Sequence, residues 1–162
     1  MGEIIKVGMA DLNVTDKTGT LTTLGLGSCI GITLYDPKNK IVGMAHIMLP
    51  SSKQIKNNSN KAKFADTAID VLIESMIKKG ARKSNLKAKI AGGAQMFSFG
   101  KEGNDVMKIG YRNAVATKEK LAELNIPLLA EDTGGNYGRT IEIYGEDGRL
   151  FIKTIGHGTK YI

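Results

Sequence analysis

One cysteine and two histidines are all this chain offers for thiol and imidazole chemistry. Cys29 and His46 fall within one stretch, residues 23–50, TLGLGSCIGITLYDPKNKIVGMAHIMLP. A thiol attacks an acyl carbon well only when a base stands within hydrogen-bond reach, so the relative placement of these two decides whether chemistry is available. Ile30, Ile32 and Leu34 alternate with Gly31, Thr33 and Tyr35, and residues 41–49 form a second apolar run. The stretch therefore reads as two strands joined by a turn at Asp36-Pro37-Lys38-Asn39. With that turn centred between Pro37 and Lys38, Tyr35 faces Lys40, and stepping back along both strands sets Cys29 directly opposite His46. Opposed residues share a face with Cβ atoms roughly 4.5–5.5 Å apart, so the spacing predicts a Cys–His couple. An odd-length loop or a bulge would turn the two side chains to opposite faces.

The surroundings of the sulfur suit acyl chemistry. Gly27-Ser28-Cys29-Ile30-Gly31 leaves room for a substrate carbonyl and for backbone N–H groups to approach a developing oxyanion, with the Cys29 N–H as first candidate. Thr23 lies just upstream, where its hydroxyl or its backbone carbonyl can hold the second imidazole nitrogen and fix the tautomer. Beside an imidazolium, a cysteine pKa of about 8.5 falls to ~3.5–7.5. The same residues also admit a plain reading, Cys29 as a small core residue and His46 as a buried, hydrogen-bonded histidine. Gln95 is a further candidate oxyanion donor, although loop amides commonly serve the backbone. The second histidine, His157 in GHGTK, completes neither an H-x-x-x-H nor a C-x-x-C pair, and no metal or cofactor is expected. The glycine-rich Gly134 to Arg139 segment matches neither a P-loop nor the dinucleotide fingerprint and reads as a structural turn.

The elements that must position these residues follow in order. Residues 3–9 and 21–26 read as strands, residues 51–60 as a polar surface loop, and residues 64–79 as an amphipathic helix ended by Gly80, with Asn60 available as its cap. Residues 86–91 form a strand, 105–124 a helix closed by Asn125 and Pro127, 126–130 a strand, and 139–155 a hairpin around Glu146-Asp147-Gly148. The first hairpin is apolar on both faces and so needs cover on both. The fold class is α/β, with mixed, mainly antiparallel sheets packed as a sandwich and flanked by helices. At 162 residues, with 41% apolar and 24% charged residues, the chain reads as a single domain over 1–162. No apolar run suits a membrane span or a signal core, and a lone cysteine fits a reducing compartment, so a cytoplasmic protein without membrane insertion is expected. The net charge of +7 favours acidic partners. Its densest part, residues 78–89, sits at a helix end where cations are stabilising in their own right, and no nucleic-acid motif accompanies it.

The elements T-x₃-G-S-C-x₁₆-H-x₂-L-P, here Thr23, Gly27-Ser28-Cys29, His46 and Leu49-Pro50, resemble the chemoreceptor glutamine deamidase CheD family. The resemblance continues through AGGAQM, IGYRN at Ile109 to Asn113 and DTGGNYGR at Asp132 to Arg139. It implies a cysteine hydrolase that turns glutamines of chemoreceptor signalling helices into glutamates, with possible action on glutamyl methyl esters. Cys29 is then the nucleophile, His46 the general base and acid, and Thr23 the residue orienting His46. It also implies a partner, the CheC phosphatase, which occupies the same site and is stimulated, and a fold like the catalytic domain of cytotoxic necrotizing factor toxins. A non-catalytic adaptor that regulates the phosphatase through the same pocket is the alternative. Residues 51–60 with Met96, Phe97 and Phe99 are the expected rim for a docking helix, unless Phe97 and Phe99 fill the core.

Overall fold

Alternation that buries both sides of one hairpin needs two different partners, and the fold supplies them. The computed structural model describes residues 2–95 and 108–162. In chain order these form β1 (Ile4–Lys6), β2 (Asp11–Thr15), β3 (Thr20–Leu26), β4 (Ile30–Asp36), β5 (Ile41–Ile47), α1 (Ala65–Lys79), β6 (Lys87–Gly92), α2 (Ile109–Glu123), β7 (Leu128–Thr133), β8 (Arg139–Tyr144), β9 (Leu150–Thr154) and β10 (Gly158–Tyr161). Two five-stranded sheets result, ordered β1-β3-β8-β9-β10 and β2-β5-β4-β6-β7. Pairing is antiparallel except between β1 and β3 and between β6 and β7. On one face of the β4–β5 hairpin, Ile30, Ile32, Leu34, Ala45 and Ile47 pack with Leu72 and Met76 of α1 and Leu121 of α2. On the other, Val42 and Met44 meet Leu21, Ile141, Ile143 and Ile152 of the first sheet. The expected sandwich with helices outside is therefore three layers, sheet on sheet with both helices on the second sheet.

Helix α1 buries Ala65, Ala68, Ile69, Leu72, Ile73 and Met76, the three-and-four spacing of one helical face. Gly43 of β5 has no side chain where Leu72 and Met76 press closest, which lets the helix sit down on the sheet. The helix stops at Gly80, whose φ of 126° and N–H bonds to Met76 and Ile77 carbonyls close the last turn. Its start departs from the expectation for Asn60. That side chain caps a separate 3-10 turn, Lys61–Lys63, by accepting from the Ala62 N–H at 3.1 Å. A parallel bridge between Leu49 and Phe64 then holds Phe64 extended, so α1 begins only at Ala65 without a side-chain cap.

The hairpin register also departs from expectation. Asp36 is opposite Ile41 and Gly31 opposite His46, so the loop comprises Pro37, Lys38, Asn39 and Lys40 and is centred one residue later than the sequence reading placed it. Asp36 is the cause. Its buried carboxylate accepts from the Lys38, Asn39 and Arg82 N–H groups and from the side-chain amides of Asn39 and Asn85, which fixes Asp36 as the last strand residue. Lys40 takes the left-handed conformation, φ 57°, to re-enter the strand. The displacement is by two residues, an even number, and so leaves His46 on the sheet–sheet face.

Candidate functional site

Cys29 lies in no strand. The chain leaves the first sheet at Leu26 and enters the second at Ile30, so Gly27, Ser28 and Cys29 form the crossover between the layers. A register shift in β3 between Thr23 and Leu26, with Gly25 at φ 68°, bends the strand toward it. The three crossover carbonyls are each held: Gly27 O by the Ala94 N–H and Cys29 O by the Gly93 N–H, both at 2.8 Å, and Ser28 O by Asn113 Nδ2 at 2.9 Å. Gly92, at φ 113°, has to be glycine, because a Cβ there would run into the Cys29 carbonyl. This packing leaves Cys29 only 8% exposed, at the edge of the sheet–sheet layer.

His46 projects from β5 into the same layer and Thr23 reaches it from β3, so their contact spans the two sheets. Thr23 Oγ1 lies 2.7 Å from His46 Nδ1 and 2.7 Å from the Val7 carbonyl oxygen. The hydroxyl has one proton and the carbonyl can only accept, so Thr23 donates to Val7 and accepts from His46. The imidazole thus carries its proton on Nδ1, and Nε2 presents a lone pair. Nε2 is buried and has no hydrogen-bond partner among the described residues. Of the two routes open to Thr23 in the sequence, the side-chain hydroxyl is the one in contact.

Burial pushes the Cys29 thiol above its ordinary 9.0 and, equally by burial, holds His46 below its ordinary 6.5. The resting pair is therefore a neutral thiol and a neutral imidazole, not the thiolate and imidazolium that the sequence suggests. No hydrogen bond joins Cys29 Sγ to His46 Nε2 among the described residues, so the expected Cys–His couple is not a formed contact in this structure.

Other candidates fall elsewhere. Gln95 is exposed, its N–H bound to the Gly135 carbonyl. His157 is exposed and leans on the Tyr137 ring, centroids 4.2 Å apart. No cluster of three His, Cys, Asp or Glu suited to a metal occurs among the described residues. Met96, Phe97 and Phe99 lie outside the described residues, while residues 51–60 are largely exposed as expected. A groove of about 640 Å³ between the loop at Pro50 and α2 is lined by none of Cys29, His46 and Thr23. A second cleft, of about 460 Å³, touches the crossover at Gly27 and is lined also by Gly25, Tyr137 and Gly138.

Two buried polar residues, named in the sequence only as parts of the family motifs, had no role assigned to them there. Asn113 donates to both Ser28 O and Met48 O at 2.9 Å. Arg139, 1% exposed, pairs with Asp132 at 3.2 Å, donates to the Gly92 carbonyl and lies over the Tyr137 ring. The signal for Asn113 was present, since it shares a helical face with buried Thr117 and Leu121, an unusual place for an amide.

Among solved structures, Neisseria meningitidis protein NMB0706, of family DUF152, superposes with a TM-score of 0.53 over 83% of this chain and 64% of its own. At 9% identity the likeness concerns the fold alone. Sequence relatives are far nearer. The probable chemoreceptor glutamine deamidase CheD of Caldanaerobacter subterraneus subsp. tengcongensis is 64% identical, covering 99% of this chain and 98% of its own. The chemoreceptor glutamine deamidase CheD of Halalkalibacterium halodurans is 55% identical over the whole of both chains. With the family model described as CheD chemotactic sensory transduction matching residues 48–154 as well, the chain belongs to the CheD family.

Proposed function

We propose that this chain, as one domain over residues 1–162, is a cytoplasmic cysteine hydrolase that converts glutamines on chemoreceptor signalling helices to glutamates. Relatives that share most of its residues bear the name of chemoreceptor glutamine deamidases. The observation that carries the cysteine-dependent reading is the branch at Thr23: its hydroxyl is spent on Val7, which keeps the His46 proton on Nδ1 and leaves Nε2 as a base on the face that holds Cys29.

In this reading Cys29 Sγ gives its proton to His46 Nε2 and bonds to the carboxamide carbon. The oxygen gains charge facing the Cys29 N–H. The carbon–nitrogen bond then breaks, Nε2 returns the proton to the departing ammonia, and a thioester remains. Water adds to it, losing a proton to Nε2, and the sulfur leaves and recovers that proton, so amide and water become acid and ammonia. A glutamyl methyl ester enters the same thioester with methanol leaving. The CheC phosphatase is proposed as a second partner at this mouth, competing with receptor.

Mass spectrometry of a receptor cytoplasmic fragment incubated with the protein tests the proposal. Wild type is expected to give the mass gain of amide-to-acid conversion, and His46→Ala and Cys29→Ala none, with Cys29→Ala melting like wild type. Conversion by Cys29→Ala at the wild-type rate would remove Cys29 from the reaction.

A further inference from the structure

Asn113 is wholly buried on α2, and its amide nitrogen is committed twice, to Ser28 O and to Met48 O. Those carbonyls belong to the residue before Cys29 and to the second residue after His46. Donation to both fixes which end of the amide is nitrogen and leaves Oδ1 without a partner. An unpaired buried acceptor is costly, so the arrangement persists because the two donor bonds outweigh it.

The held carbonyl has a geometric consequence. No described peptide is cis, and across a trans peptide C=O and N–H point in opposite directions. Drawing Ser28 O onto α2 therefore turns the Cys29 N–H, the other end of the same peptide, away from α2. The flanking carbonyls of Gly27 and Cys29 are held by backbone groups, and Asn113 is the one side chain among the described residues that donates to this turn.

We propose that Asn113 is a positioning residue. By holding the Ser28 carbonyl it aims the Cys29 N–H at the substrate oxygen, and by sharing the same nitrogen with Met48 it keeps that donor in register with the strand carrying His46. The inference rests on Cys29 being the nucleophile.

Two reactions of one sulfur separate positioning from mere support. Deamidation builds charge on a carbonyl oxygen and needs the aimed N–H. Alkylation by iodoacetamide displaces iodide at a saturated carbon and builds none. For Asn113→Asp, which keeps the shape but at most one of the two donor bonds, and for Asn113→Ala, which loses both, kcat is expected to fall about 100- to 1,000-fold, with KM and the alkylation rate within about threefold of wild type. Unchanged kcat, or equal losses in both reactions, would overturn the proposal. Wild-type protein gives a reading that does not depend on either variant folding. When a receptor peptide bearing an aldehyde in place of the carboxamide forms its hemithioacetal on Cys29, the Cys29 amide proton should move downfield. An unmoved resonance overturns the proposal. Activity in Cys29→Ala would defeat the underlying nucleophile reading instead, whereas an inactive Cys29→Ala beside a fully active Asn113→Asp would defeat positioning alone.

Discussion

At the residue scale the site is governed by a count of protons. Thr23 has one to give and gives it to Val7, so the His46 tautomer is set from the far side of the ring, at Nδ1. Thr23→Val removes the acceptor and leaves a buried Nδ1–H unpaired, a loss of about 1–3 kcal/mol, whereas Thr23→Ser restores it. In receptor-fragment assays Thr23→Val should lose roughly 10- to 100-fold in kcat and Thr23→Ser should stay within a few-fold of wild type. A Thr23→Val enzyme at full rate would mean that the hydroxyl does not set the tautomer. The contact between Thr23 and His46 was legible in the sequence, as one of two routes open to that threonine, whereas the spacing that set Cys29 opposite His46 misled, since Gly31 takes that place and Cys29 lies in the crossover. The Val7 carbonyl was not legible, since a backbone acceptor leaves no mark on composition. Nor was the neutrality of the resting pair, which follows from how completely the two sheets close over it.

Among the elements, the β4–β5 hairpin shows why a register read from a turn is fragile. Asp-Pro-Lys-Asn looks like a turn centred on Pro37 and Lys38, but Asp36 recruits partners as distant as Arg82 and Asn85, and these move the centre by one residue. Long-range acceptors of this kind are invisible to a local motif. Asp36 is pulled down to about 2: burial opposes ionisation, and the bonds from Asn39, Arg82 and Asn85 together outweigh it. With an ordinary value of 3.8 the difference amounts to roughly 2 kcal/mol, present above pH 3.8 and lost as pH falls through about 2. Chemical denaturation of Asp36→Ala should therefore show a loss of at least about 2 kcal/mol at neutral pH, with a weaker acid dependence between those two values. Equal stability and an unchanged acid limb would show that the carboxylate does not hold the turn. The helices and the long strands were legible from their apolar periods. Strands β2 and β10 were not: β2 alternates, but over only five residues at a sheet edge, and β10 is a four-residue edge strand exposed throughout, with no apolar face to read.

For the whole molecule, the sandwich places one acid-sensitive and one alkali-sensitive group in the same apolar layer, and their signs can be worked out. His46 is held below 6.5 in the fold, so the unfolded chain binds the extra proton and stability falls as pH drops below 6.5. Cys29 is held above 9.0, so the unfolded chain ionises first and stability falls as pH rises past 9.0. Together they favour the fold most between those values. Melting temperatures of wild type should decline on both sides, with the acid decline reduced in His46→Gln and the alkaline one in Cys29→Ala; profiles that superpose on wild type would show that neither group is shielded. The bond between Thr23 and His46 joins one sheet to the other, and Cys29 rides the link between them. A chain whose sheets have formed but not docked has a solvated thiol and an unaimed imidazole, so the layers act as two keys that must be turned together. Under the proposed mechanism, activity therefore arrives only with the docking of the two sheets, as the last product of folding.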